Sequence, residues 1–298
     1  MRRTRQGLFK GMLVALSATA GVLLFACLFW GGNSEAQTTR TATTETPLLA
    51  QRVPVDTSIL TVPISASEIE DTHQLELING MHPISQEPGF RQLKVAYSAV
   101  AVSNESIRLQ ENALTAVADM FAAAQRAGIH SLYVSSGYRD YVQQKELYKE
   151  TLDKSTVQKP GHSEHQTGLA ADIFAQDQTN REMMSSFEGQ WLAKNSWEYG
   201  LIVRYQEGKQ DVTGISYEPW HVRYVGQPHA WFCYQNNLCF EEYIQYLKDT
   251  GGYQATLNGT DYAVFYQTAA NGVLYVPDGL GYTVSSDNTG GFIVTVCV

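Results

Sequence analysis

Residues 161–172, which read GHSEHQTGLAAD, bring imidazole and carboxylate side chains together over a short interval. His162, His165 and Asp172 can all bind a metal ion, because imidazole nitrogens and carboxylate oxygens are zinc ligands. The helical HExxH zinc motif is absent, since the order here is His-Ser-Glu-His-Gln. Taken alone, the stretch is compatible with a metal site, with an acid/base cluster or with a polar loop.

A second pair of acid and imidazole lies in the sequence YEPWH at residues 217–221. Pro219 favours an extended or polyproline II conformation at Glu218. Because polyproline II has three residues per turn, Glu218 and His221 can point in the same direction. Two histidines, one aspartate and an unligated glutamate make a hydrolytic zinc site, in which the glutamate accepts the proton of the attacking water. The structural alternative is that Glu218 caps a turn and His221 packs against Trp220.

A third motif, SSGYR at residues 135–139, lies where a short apolar strand ends. Arg139 follows a glycine turn and can stabilise the oxyanion of a tetrahedral intermediate or bind a carboxylate. The alternative is an ordinary surface ion pair. The motif contributes to a hydrolytic site only if the fold brings it to the other two.

A strand at residues 168–174 would position the aspartate, because side chains alternate between the two faces of a strand. The core-facing positions would be Leu169, Ala171 and Ile173. Asp172 would share the opposite face with Gly168 and Ala170, whose small size leaves room around the carboxylate. His165 precedes this strand by a short turn and can reach over the same face.

The remaining elements mix helices and strands without a regular alternation, which favours an α+β domain on a small antiparallel sheet. Hydrophobic periodicity and turn residues predict helices at 105–127, 140–152, 181–198 and 240–248, and strands at 132–134, 201–205 and 221–225. We expect this domain to span residues 69–249. Residues 250–298 contain short β-like runs separated by Asn-Gly and Asp-Gly turns, and predict a small β-rich extension.

The N-terminal segment has the pattern of a membrane anchor. Four basic residues precede an uncharged stretch, residues 11–30, which as a helix would span about 30 Å of hydrocarbon. Residues 1–32 are therefore predicted to be a single-pass anchor that leaves the rest of the chain outside the cytoplasm. The alternatives are a signal peptide cleaved near residues 34–36 and acylation at Cys27. Residues 33–68, rich in Thr, Ser, Gln and Pro, predict a flexible linker.

Net charge and cysteine spacing limit the other classes of function. The formal net charge of -9 argues against a nucleic-acid partner, since binding phosphates needs a basic surface. A thiolate zinc site has little support, because the chain contains no CxxC pair. Cys233 and Cys239 are close enough in sequence to form a disulfide in an oxidising compartment, and free thiols are the equal alternative.

Three motifs together resemble those of a known family. They are SGYRD at 136–140 with Gln144, SEHQTGLAAD at 163–172, and YEPWHVRYVG at 217–226. They are similar to the motifs of the zinc D,D-carboxypeptidases of glycopeptide-resistant bacteria, in particular the membrane-anchored VanY type. The pattern Ser-x-His-x-x-Gly-x-Ala-x-Asp is complete in this chain, and the resemblance extends from about residue 75 to the C-terminus.

The resemblance implies an activity and a role for each matching residue. His165, Asp172 and His221 would hold one zinc ion per chain, and Glu218 would be the catalytic base. Arg139 would stabilise the intermediate. The residues expected to bind substrate are Gln144 and Ser163. The implied reaction removes the last D-alanine from peptidoglycan stem pentapeptides, which lowers the number of D-Ala-D-Ala termini available to vancomycin.

Two other functions remain open at this level. The nearer one is an L,D-carboxypeptidase that trims tetrapeptide stems, because such relatives share the SGYR, SEHQTG and Glu-x-x-His elements. The other is a wall-binding module in which zinc is only structural. A structural zinc site is usually closed by four protein ligands, so three ligands with Glu218 free favour an enzyme. The sequence does not indicate an oligomeric state.

Overall fold

A computed structural model describes residues 55–298 as a mixture of antiparallel sheets and short helices. The strands are β1 Leu60–Ser65, β2 Leu93–Val95, β3 Arg108–Gln110, β4 Leu132–Ser136, β5 Ala170–Ala175, β6 Leu201–Tyr205, β7 Glu218–Tyr224, β8 Gly252–Leu257, β9 Thr260–Gln267, β10 Val273–Pro277, β11 Tyr282–Ser286 and β12 Phe292–Cys297. The α-helices are α1 Glu111–Arg126, α2 Tyr141–Glu150, α3 Asn180–Met183, α4 Phe187–Asn195, α5 Gln210–Thr213, α6 His229–Gln235 and α7 Phe240–Thr250. Short 3-10 helices lie at Thr57–Ile59, Ala66–Glu68, Phe90–Gln92, Ala96–Ser98, Lys154–Thr156, Glu164–Thr167 and Ser196–Tyr199.

The central sheet has the strand order β4-β5-β7-β6, and each neighbouring pair is antiparallel. Helix α1 covers one face of this sheet because its apolar residues recur at helical spacing. Its side chains Leu114, Val117 and Phe121 lie in one buried cluster with Ile173 of β5 and Val222 of β7. The predicted α+β domain on a small antiparallel sheet is therefore confirmed.

The C-terminal strands form a second antiparallel sheet in the order β11-β12-β9-β8. One face of this sheet shares a hydrophobic cluster with α6 and α7, which contains Phe232, Tyr243, Tyr253, Val264 and Ile293. The sheet continues directly from α7, since Gly251 ends that helix in the left-handed conformation and β8 begins at the next residue. The predicted β-rich extension therefore shares its core with the helices that precede it.

The prediction of a flexible linker over residues 33–68 is wrong for its last part. Residues 57–68 consist of two 3-10 turns and β1, which pairs with β10 in an antiparallel ladder from Leu60 to Ser65. Ile59, Leu60 and Ile64 pack against the cluster between this pair and the C-terminal sheet. The partner strand lies near the other end of the chain, so local composition could not reveal the pairing. Residues 33–54 lie outside the described residues.

The predicted membrane anchor, residues 1–32, also lies outside the described part of the chain. Among residues 55–298, none of the helices is both long enough and apolar enough to cross a bilayer. The structure therefore leaves the anchor as a prediction from sequence.

The cysteines of residues 55–298 are free thiols. Cys233 and Cys239 are both buried beside α6 and α7, and Cys297 is exposed. Of the two alternatives for Cys233 and Cys239, the structure has the free form.

Candidate metal centre

Asp172 occupies the centre of the site because of its place in β5. The neighbouring residues Ala171 and Ile173 are buried in the core on the opposite face, as the alternation of a strand requires. In register with Asp172 lie Ser136 of β4 on one side and His221 of β7 on the other. The sheet thus places a carboxylate between one imidazole and the end of the SSGYR motif.

His165 reaches Asp172 from the 3-10 turn that precedes β5. Its Nε2 lies 3.3 Å from Oδ2 of Asp172, and its Nδ1 lies 2.6 Å from the carbonyl oxygen of Gly137. The turn ends at Gly168, which has a φ of 71°. A Cβ there would lie 2.7 Å from a methyl group of Leu93, so the glycine is required by conformation and by close packing. The expectation that Gly168 leaves room on the metal face is therefore wrong.

His221 and Glu218 share β7, yet they are not an even number of residues apart. A regular strand would send them to opposite faces. The pairing of β6 with β7 is irregular at this point, since Val203 pairs with Val222 whereas Tyr205 pairs with Glu218. Between these two pairs, one residue of β6 thus corresponds to three of β7, and this bulge turns both side chains to the cleft. The predicted convergence is present, but it arises from a strand bulge and not from polyproline II geometry.

The three predicted donors are close enough to bind one metal ion. Candidate ligand atoms of His165, Asp172 and His221 all lie within 4.8 Å of one another. His221 Nδ1 lies 2.9 Å from Asp172 Oδ1. A tetrahedral zinc with bonds of about 2.0–2.1 Å has its ligand atoms about 3.3 Å apart, and the separations of Asp172 from the two histidines, 3.3 and 2.9 Å, are similar. The donor set, two imidazoles and one carboxylate, therefore fits the zinc ion that the sequence predicts, with a coordination position to spare.

The charges of these groups depend on one another. Burial opposes ionisation of Asp172, but the two histidines outweigh it and hold its pKa well below the usual range. Burial and the nearby Arg139 lower the pKa of His165 to about 4, so this imidazole is neutral at pH 7, as a metal ligand must be. Burial also disfavours charged His221, but the hydrogen bond to Asp172 and the nearby carboxylate of Glu164 raise its pKa to about 9. A cation in the site would reverse that preference by repulsion.

Glu218 lies beside the three donors without being one of them. It is 7% exposed, and burial together with Asp172 raises its pKa to about 8 against the opposing charges of His221 and Arg139. A carboxyl group with a pKa near the working pH can both accept and return a proton. Glu218 is therefore placed for acid/base chemistry.

Arg139 lies on the other side of Asp172, where its Nη1 is 3.7 Å from Oδ2. Its guanidinium is held by Ser136, whose Oγ accepts from Nη1 at 2.6 Å, and by Gln144, whose Oε1 accepts from Nε at 3.0 Å. Gln144 is fully buried and donates to the carbonyl of Gln158 at 2.7 Å. Gln144, predicted to bind substrate, thus lies behind Arg139 and orients it.

These groups open into a cleft with an empty volume of about 790 Å³. Besides the residues already described, its lining includes Ser163, as the sequence predicts, and a stacked aromatic pair, Phe174 and Trp220, with ring centroids 5.5 Å apart. His162 is turned away, since its Nδ1 lies 2.7 Å from the carbonyl oxygen of Asn79. A second cavity of about 770 Å³ beside Trp197 contains none of the metal donors.

Sequence reasoning missed a buried ionic network behind the site. Glu164 is 1% exposed, and its Oε1 accepts from Arg204 Nε at 2.8 Å and lies 3.0 Å from Arg223 Nη1. Arg204 also donates to both carboxylate oxygens of Glu241 in α7, at 2.8 and 2.7 Å. A detectable signal was the arginine in each of two buried strands, LIVRY and EPWHVRY, because a fully buried arginine requires an acidic partner.

Comparison with known proteins identifies relatives of this architecture. Residues 106–227 match the sequence model of the VanY family, described as D-alanyl-D-alanine carboxypeptidase. A D-alanyl-D-alanine carboxypeptidase of Enterococcus faecium is 34% identical over 229 residues, which is 74% of this chain and 74% of that protein. The vancomycin resistance D,D-dipeptidase VanXYg, solved with a D-Ala-D-Ala phosphinate analogue, matches with a TM-score of 0.67 and 26% identity, covering 80% of this chain and 98% of that one. The LdcB LD-carboxypeptidase matches with a TM-score of 0.52 and 36% identity, covering 57% of this chain and 84% of that one.

The fold, the metal-binding group and these relatives define a metallo-carboxypeptidase. The chain belongs to the VanY family of D-alanyl-D-alanine carboxypeptidases. The resemblance drawn from the three sequence motifs is confirmed.

Proposed function

We propose that this protein is a zinc D,D-carboxypeptidase that removes the C-terminal D-alanine from peptidoglycan stem pentapeptides ending in D-Ala-D-Ala. One observation carries the proposal: a group of three metal donors lies in an open cleft between Arg139 and the unligated, buried Glu218. The E. faecium relative, itself a D-alanyl-D-alanine carboxypeptidase, supports the substrate class. Trimming such stems would lower the number of targets for vancomycin.

The proposed roles follow from position and charge. His165, Asp172 and His221 would hold the zinc, which supplies Lewis acidity at the scissile carbonyl. Glu218 takes the proton of the attacking water and returns it to the departing D-alanine amine. Arg139 faces the negative charge that develops on the carbonyl oxygen, and Gln144 fixes its direction.

The substrate would enter from the wide side of the cleft. Ser163 has a hydroxyl for the peptide backbone, and Phe174 with Trp220 offers an apolar wall. The assembled cell wall is outside the cytoplasm, so we place the catalytic domain there. Attachment to the membrane through residues 11–30 stays a prediction from the basic and apolar pattern of the N-terminal segment.

An L,D-carboxypeptidase acting on tetrapeptide stems is the second candidate. The observation in its favour is the match to LdcB, at 36% identity. The match covers 57% of this chain, whereas the D,D relatives described above cover 74% and 80%. The wider coverage is the reason to prefer the D,D activity.

The test is the release of free D-alanine from a synthetic stem pentapeptide, measured with the metal intact, after chelation, and after zinc is added back. We expect release that a chelator abolishes and zinc restores, and that penicillin does not inhibit, because no serine acyl-enzyme forms. Release that persists at the same rate in the chelator would contradict a zinc mechanism. A chelator-sensitive protein that releases no D-alanine would contradict the substrate.

A further inference from the structure

We infer that Glu164 is a positioning residue for His221: its carboxylate accepts the Nε2 proton and so directs Nδ1 of His221 toward the metal. The inference rests on the proposed metal site, in which His221 is one of three ligands. It adds a residue that does not line the cleft and would act only through His221.

The two ligand histidines need opposite tautomers. His165 turns Nε2 to Asp172, and its Nδ1 lies 2.6 Å from the Gly137 carbonyl, which can only accept. The proton of His165 is therefore on Nδ1, and Nε2 has the free lone pair. His221 turns Nδ1 to Asp172, 2.9 Å away, so its own proton must be on Nε2 when it binds a metal. A ligand histidine generally donates its second N–H to a carboxylate or carbonyl, which fixes the ring.

Glu164 is the acceptor that lies on that side of His221. Its Oε2 is 3.5 Å from His221 Nε2. Both atoms are buried and have no hydrogen-bond partner within the described residues. Buried polar atoms are nearly always paired, and two such atoms that face each other satisfy one another after a shift of a few tenths of an ångström.

The two arginines explain why this carboxylate is held in place. Arg204 and Arg223 both approach Oε1 of Glu164, at 2.8 and 3.0 Å, and both are 0% exposed. Oε2 is left for the imidazole, and the side chain of Glu164 cannot turn away without breaking its contacts with the two arginines.

The same network provides a matched control. Glu241 of α7 pairs with Arg204 at 2.7 Å, on the side away from Glu164, and is not among the groups that contact His221. Glu164→Gln and Glu241→Gln therefore each remove one negative charge from a shared arginine. Only the first alters the acceptor of His221. A purely structural role for the network would make the two variants alike.

The experiment measures zinc affinity of the full chain by competition with a chromophoric chelator, together with thermal unfolding of the metal-free forms. We expect Glu164→Gln to bind zinc about 10–100-fold more weakly than the wild type, the usual effect of losing such a partner of a ligand histidine. Glu241→Gln should lower the melting temperature while its zinc affinity stays within about twofold of the wild type.

Glu164→Asp covers the case in which the glutamine variant does not fold. It retains a negative charge between the arginines but draws the carboxylate back from His221, so zinc affinity should fall while folding persists. Zinc affinity of Glu164→Asp or Glu164→Gln equal to wild type would overturn the inference, as would an equal loss in Glu241→Gln. These results are independent of D-alanine release. A wild type that binds zinc through this pair without releasing D-alanine would contradict the proposed function and not the role of Glu164.

Discussion

Glu218 shows how burial and neighbouring charge can prepare a carboxyl group for proton transfer. It lies in the cleft beside the metal donors, and its pKa is raised to about 8 chiefly by burial. A metal ion would favour its ionised form, and the low polarity around it would favour return of the proton once the tetrahedral intermediate collapses. The acid and the base of the reaction can therefore be the same residue.

Replacing this carboxyl group should separate chemistry from metal binding. We expect Glu218→Gln to lower kcat by about 10²–10⁴-fold, the usual contribution of a general acid/base group, with zinc content unchanged. The measurement is D-alanine release together with metal analysis, and Glu207→Gln, at an exposed position of the loop before α5, is the control. Turnover at the wild-type rate, or loss of the zinc, would show that Glu218 has another role.

At the scale of single residues, the sequence indicated the metal donors but not the buried residues that hold the site in position. The chemistry of imidazole and carboxylate side chains made the three donors and Glu218 candidates, and the resemblance of the three motifs assigned their roles. The contact of Gln144 with Arg139 and that of Glu164 with His221 could not be predicted, since they depend on how the elements pack. That information comes only from the fold.

At the scale of secondary structure, β7, α6 and α7 show which features a sequence pattern predicts and which it does not. The strand could be predicted from its apolar residues, whereas the bulge that brings Glu218 and His221 to one side depends on pairing with β6. The C-terminal sheet could be predicted as strands. Its attachment could not, because the cluster joins α6 and α7 to Ile293 of β12, which is distant in sequence.

His229 joins three of these elements. It lies at the start of α6, with Nδ1 2.5 Å from the Tyr243 hydroxyl of α7 and Nε2 3.0 Å from the Thr295 hydroxyl of β12. Burial lowers its pKa to about 3. The folded state therefore keeps His229 neutral, whereas the unfolded chain takes up a proton at its ordinary pKa of about 6.5.

The sign of the pH effect follows from that difference. Since the folded pKa lies below the unfolded one, the contribution of His229 to stability is present above pH ~6.5 and is lost progressively as the pH falls toward ~3. Between pH 8 and pH 5 the loss from this group is about 2 kcal/mol. We expect His229→Gln to lose about that much less free energy of unfolding over this range than the wild type, in urea titrations of metal-free protein. A loss in His229→Gln identical to that of the wild type would contradict a neutral buried imidazole.

At the scale of the whole molecule, a continuous series of buried groups connects the central sheet, which carries the site, to the C-terminal sheet. Glu164 contacts Arg204, Arg204 contacts Glu241 of α7, and α7 packs against the C-terminal strands. The α+β class was predictable from the mixture of elements. The pairing of β1 with β10 was not, because a strand within the predicted linker pairs with a strand near the C-terminus.

The substrate preference is the central claim at this scale, because the same donors and Glu218 would serve either a D,D- or an L,D-carboxypeptidase. The most direct measurement incubates the purified zinc-bound protein with stem pentapeptide and stem tetrapeptide separately and determines the product masses. We expect the pentapeptide to lose one D-alanine and to accumulate as tetrapeptide, with the added tetrapeptide unchanged. Conversion of the tetrapeptide to tripeptide while the pentapeptide remains intact would contradict the D,D assignment.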